Sequence, residues 1–139
     1  MHIKTILLVD DNAVQATVRQ AILKRNGYSV IAALNPARAL EQLRSGGFLN
    51  EIHLIITDHI MPGMSGSVFV REIRNLQPEI PVLVISGLEE ASSEYEGLNV
   101  EFRVKPLHPQ YMLESIESMI GLPDETAAPL SPLIAPVTA

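Results

Sequence analysis

Asp10, Asp11, Asp58, Ser86 and Lys105 stand at the carboxyl ends of short apolar runs, and together their side chains could carry out phosphoryl transfer. Asp10-Asp11 close the run Thr5–Val9, Asp58 closes Leu54–Thr57, Ser86 closes Pro81–Ile85 and Lys105 closes Phe102–Val104. Unalternating apolar runs of this kind are the strands of a parallel sheet covered on both faces, and residues just past their carboxyl ends converge on one edge. Carboxylates crowded there repel one another, so the cluster requires either a cation or raised carboxyl pKa values. Oxygen ligands with a single lysine nearby suit Mg²⁺, which binds through a few carboxylates, its own waters and a substrate phosphate. An aspartate can then attack phosphorus, while a lysine ammonium and a hydroxyl stabilise charge on the equatorial oxygens. Taken singly, each feature has a plainer reading. Asp10-Asp11-Asn12 could simply cap a helix, and Asp58 ahead of Pro62-Gly63, like Lys105-Pro106, could be turn chemistry. Their joint placement at the ends of the first, third and fifth strands favours a site.

Elements must alternate to bring these residues to one edge, and the chain does alternate. After the first strand, Val14, Val18, Ala21 and Ile22 recur at helical spacing, and Asn26-Gly27 ends that helix. Ser29–Ala33 reads as a strand, Asn35 as a cap with Pro36 at the first helical position, and the helix runs to Arg44 before Gly46-Gly47. Ser65–Leu76 is the third helix, Glu89–Tyr95 a weak fourth, and the last starts near Pro109 with Met112, Leu113, Ile116, Met119 and Ile120 on one face before Gly121. Five strands alternating with five helices, joined by right-handed crossovers, predict an α/β doubly wound (βα)5 flavodoxin-like fold, with a parallel five-stranded sheet in the order 2-1-3-4-5. Residues 1–121 form the expected domain, and the Pro/Ala-rich stretch 122–139 a tail or linker.

The bulk numbers exclude several classes. With 139 residues and 47% hydrophobic side chains there is enough chain for one core. A net charge of −6 argues against a phosphate-backbone binder, so no direct nucleic-acid partner is expected. No apolar run approaches the roughly 18 residues of a membrane-spanning helix. The chain has no cysteine, and no leader-like segment is visible, so a cytoplasmic setting is expected. His2, His53, His59 and His108 lack metal-ligand spacing, and His59 is expected to be an exposed neighbour of Asp58. Met61 and Met64 are read as loop packing.

The segments LLVDDN, IITDHIMPGMSG, VLVISG and VKP resemble the successive motifs of bacterial response-regulator receiver domains, over about Lys4 to Ile120. The resemblance implies a two-component switch that takes a phosphoryl group from a histidine kinase or phosphotransfer protein and acts on a downstream protein target or effector domain. By it, Asp58 is the phosphoacceptor and Mg²⁺ the cofactor. Asp11 would be a direct metal ligand, Asp10 a ligand largely through water, and the Ile60 backbone carbonyl a further one. Ser86 would hydrogen-bond the phosphoryl group and Lys105 would pair with it. Phe102 falls where the family has a rotating aromatic switch, and Lys105-Pro106 where it has a cis peptide. Two departures stand out. Ser86 to Lys105 is about three residues shorter than usual, so the fourth helix is expected to be short, shifted or partly disordered. Ile60 and Leu88 are apolar where other receivers often carry polar residues at the rim of the site. Such a domain could stand alone, sit in a hybrid histidine kinase, or survive as a degenerate interaction module. A haloacid-dehalogenase-like phosphatase shares the chemistry but expects Asp-x-Asp, whereas Asp10 and Asp11 are adjacent.

Overall fold

The computed structural model describes residues 3–48 and 51–123. The elements run β1 (Thr5–Val9), α1 (Ala13–Arg25), β2 (Ser29–Ala33), α2 (Pro36–Ser45), β3 (Leu54–Asp58), α3 (Gly66–Leu76), β4 (Val82–Ser86), a 3₁₀ helix (Glu89–Tyr95), β5 (Glu101–Val104) and α4 (Pro109–Ile120). The sheet is parallel throughout and ordered β2-β1-β3-β4-β5, as the alternation predicts. β1, β3 and β4 are buried along their whole length, and the two edge strands are only partly covered.

Successive side chains of a strand point to opposite faces, which divides the apolar residues into two layers. Leu7, Val9, Ile55, Val82 and Val84 meet Leu40 of α2, Phe69 and Ile73 of α3 and Tyr95 of the 3₁₀ helix. Ile6, Leu8, Leu54, Ile56, Leu83 and Ile85 meet Ala16 and Leu23 of α1 and Met112 and Ile116 of α4. Side-chain caps start the helices: Asn12, Asn35 and Ser65 each accept a hydrogen bond from the backbone N–H three residues on.

The fourth helix is short and spans Glu89–Tyr95 as expected, in 3₁₀ rather than α geometry. The inward face of α1 is rotated from the one its apolar spacing suggests. Ala16 and Leu23 are buried, whereas Val14 is 75% and Val18 55% exposed. The inner positions near the start of α1 carry Gln15 and Arg19, since that end of the helix covers the acidic edge of the sheet rather than the core. Met61, read as loop packing, is buried in the α2/α3 layer, with Met64 against it.

The carboxyl-terminal part of the expected tail, 124–139, lies outside the described residues. The chain before it remains tied to the domain, as the Lys4 N–H donates to the Pro123 carbonyl at 3.0 Å and Tyr28 Oη to the Gly121 carbonyl at 3.0 Å. Among the described residues no helix is long and apolar enough to cross a membrane.

Candidate phosphoryl-transfer site

Strand register assembles the site. Val9 pairs with Thr57, so Asp10 emerges beside Asp58; Asp58 pairs with Ile85 and Ser86 with Val104, so Ser86 and Lys105 follow along the same edge. Asp10 continues the face of Ile6 and Leu8, and Asp58 that of Leu54 and Ile56, so both carboxylates point toward α1 and α4. They are buried, at 0% and 3% exposure, and Ser86 is 2% exposed.

Lys105 Nζ lies 2.9 Å from Asp58 Oδ1. Gln15 Nε2 donates to Asp10 Oδ2 at 2.7 Å and to Asp58 Oδ2 at 2.9 Å, spanning the two carboxylates. Arg19 Nη1 spans them too, 3.3 Å from Asp10 Oδ2 and 3.4 Å from Asp58 Oδ1. The remaining Asp10 oxygen accepts the Asn12 N–H at 2.9 Å. Burial pushes the Asp10 carboxyl from an ordinary 3.8 up to about 6, reinforced by its hydrogen bond with Asp58 and opposed by Gln15 and the Asn12 N–H.

The predicted residues do not all converge. Asp11 is exposed, and among the described residues no three acidic or histidine side chains close into a metal cage. Ser86 Oγ is engaged by its own loop, accepting the Leu88 N–H at 3.0 Å and donating to the Leu88 carbonyl at 3.4 Å. Ile60 and Leu88 border the site with exposed side chains, at 65% and 40%. Phe102 is half-buried and lies against Tyr95, ring centroids 5.6 Å apart. Lys105-Pro106 is cis.

His59 is not an exposed neighbour. The strand alternation that sends Asp58 toward α1 sends His59 to the opposite face, under the 3₁₀ helix, where it is 7% exposed. Its Nδ1 lies 2.7 Å from Tyr95 Oη, and its Nε2 is 3.5 Å from Glu94, whose other oxygen accepts the Ser67 hydroxyl. The same crowding accounts for Gly66: a Cβ there would stand 2.5 Å from the Asp58 carbonyl oxygen and 2.5 Å from Tyr95 Oη. Sequence reasoning missed Gln15, Arg19 and Tyr95. The only signal for the first two was their spacing of one helical turn directly after the acidic pair.

The chain matches the family model described as the response regulator receiver domain over residues 6–117. It is 32% identical over 128 residues to the transcriptional regulatory protein ZraR of Salmonella typhimurium, covering 90% of this chain but 28% of that protein. Among solved structures, a response regulator receiver protein from Pseudomonas putida aligns at 29% identity with a TM-score of 0.76, covering 85% of this chain and 98% of that one. A CheY-like receiver domain protein from Methanospirillum hungatei shares the fold at 24% identity and a TM-score of 0.77, over 86% of this chain and 94% of that one. With its strand order, its motifs and its family match in agreement, the chain belongs to the response-regulator receiver domains of two-component signalling.

Proposed function

We infer that Asp58 is the phosphoacceptor of this receiver and that Asp10, Asp11, Asp58 and the Ile60 carbonyl form its Mg²⁺ site. The observation that carries the reading is the Lys105 ammonium, held 2.9 Å from a carboxylate that is 3% exposed at the carboxyl edge of a parallel sheet. The donor set fits Mg²⁺: every group is a hard oxygen, and two buried carboxylates are held side by side at the sheet edge. Bound Mg²⁺ would supply positive charge for the transferring phosphoryl oxygens.

An Asp58 oxygen attacks the phosphorus of a phosphohistidine or a small acyl phosphate. The new O–P bond forms as the bond to the leaving nitrogen or oxygen breaks, and the leaving group takes that electron pair and then a proton. Lys105 is already in place to neutralise the product. Ser86 must release Leu88 to reach a phosphoryl oxygen, and that movement opens space beside Phe102, making the pair the switch. A groove of about 640 Å³ lined by Val18, Ile22, Lys105, Leu107 and Met112 opens next to the site between α1 and α4. A histidine kinase or phosphotransfer protein presenting its phosphohistidine would dock there. The curated relative is more than three times as long as the matched part, which supports a separate effector as the output of a receiver spanning 1–121; a cytoplasmic setting belongs to the same reading.

Incubation with acetyl phosphate and Mg²⁺ should add one phosphoryl group by intact mass, and Asp58→Asn should abolish the adduct. The same adduct on Asp58→Asn would overturn the assignment.

A further inference from the structure

The chain's own donors already engage all four oxygens of Asp10 and Asp58. Asp10 Oδ1 takes the Asn12 N–H, and Asp10 Oδ2 takes Gln15 and Arg19. Asp58 Oδ1 takes Lys105 and Arg19, and Asp58 Oδ2 takes Gln15 and, at 3.5 Å, Arg19. Arg19 is the unexpected member. It is a fixed positive charge whose side chain is only 11% exposed, in contact with both carboxylates, and it projects from an α-helix that a phosphoryl-transfer site does not otherwise require. The guanidinium's charge can leave the two carboxylates only if the side chain itself moves. A second cation brought to the same two carboxylates is repelled by it and must compete for the same lone pairs, or displace it.

The geometry points to Arg19, with Gln15 on the same two carboxylates, as an internal competitor that sets how tightly the acidic site takes Mg²⁺. The inference rests on the Mg²⁺ reading above and adds a mechanism: the affinity is lowered by a tethered cation that must swing off the carboxylates when the metal binds. Arg19 is a positioning residue in this scheme, since it acts through the carboxylates and not on the phosphoryl group. Gln15 contributes hydrogen bonds without charge, so its share of the competition is the smaller one.

Titration calorimetry with Mg²⁺ alone, no phosphodonor present, tests this. Arg19→Met removes the charge and keeps most of the aliphatic stem; it should tighten Mg²⁺ binding by at least about tenfold. It should also lower the melting temperature in chelator, where the carboxylates lose their counter-ion, and enlarge the rise that Mg²⁺ produces. Gln15→Met should shift the affinity by a smaller factor. Arg19→Lys, which retains a charge but loses the reach to both carboxylates, should fall between wild type and Arg19→Met, and it carries the test if Arg19→Met does not fold. Wild type binding Mg²⁺ while the Arg19 variants bind it equally or more weakly would overturn the competitor role and leave the metal site standing. Failure of wild type and variants alike to bind would overturn the metal reading itself.

Discussion

Hydrolysis of an aspartyl phosphate needs a water held in line with the carboxylate, and a polar side chain at the rim can hold it. Ile60 and Leu88 have neither donor nor acceptor in their side chains, and both are exposed at the rim. The phosphorylated protein should therefore be long-lived for a receiver, although Gly87, where a Cβ would meet nothing, leaves the approach open. Ile60→Asn with Leu88→Glu should accelerate decay severalfold, followed by mass after the donor is removed; an unchanged or slower decay would sink the idea. At this scale the sequence was most legible where chemistry and position coincide. Asp10, Asp58 and Lys105 were readable because each is a charged residue ending an apolar run, and register does the rest. Arg19 and Gln15 were not, because polar residues on a helix ordinarily face water. Only the packing of α1 against the sheet reveals that they face carboxylates.

α1 shows why element identity is easier to read than element orientation. Its limits followed from Asn12 and from Asn26-Gly27, local signals that depend on nearby backbone alone. Which stripe turns inward depends on what lies across from it, and here part of the inner stripe meets an acidic edge. Burial therefore separates two apolar residues that spacing would have paired. Leu23→Ala should cost about 2–5 kcal/mol by opening a cavity in the α1/α4 layer. Val14→Thr should stay within about 0.5 kcal/mol of wild type, because its side chain is 75% exposed. Urea denaturation of the two variants checks both, and a comparable loss in Val14→Thr would show that α1 packs in the register its apolar residues suggested. The 3₁₀ helix shows the opposite balance: its position was readable and its geometry was not. Its anchors are long-range, with Tyr95 on His59, Glu94 on Ser67 and Arg71 on the Glu94 carbonyl.

For the molecule as a whole, a buried acidic edge links stability to pH. The folded state raises the Asp10 carboxyl from 3.8 to about 6, so it binds that proton more tightly than the unfolded chain does. The resulting stabilisation is complete below the unfolded value and is lost as pH rises through about 6. Asp10→Asn imitates the protonated form. In chelator, its stability advantage over wild type should grow between about pH 4 and pH 7, and a difference independent of pH would contradict the shift. The register that assembles the site has another consequence, for the nascent chain. Asp10 leaves the ribosome early and Lys105 late, and the residues that hold Asp58 come from α1 at one end of the domain and from the connection after β5 at the other. Distant pairings of this kind form only when the sheet between them has closed. A chain arrested before β5 can carry Asp10, Asp11 and Asp58 yet lack the ammonium that pairs with Asp58. The edge that gathers these charges is thus completed only when β5 and the residue after it have joined the sheet.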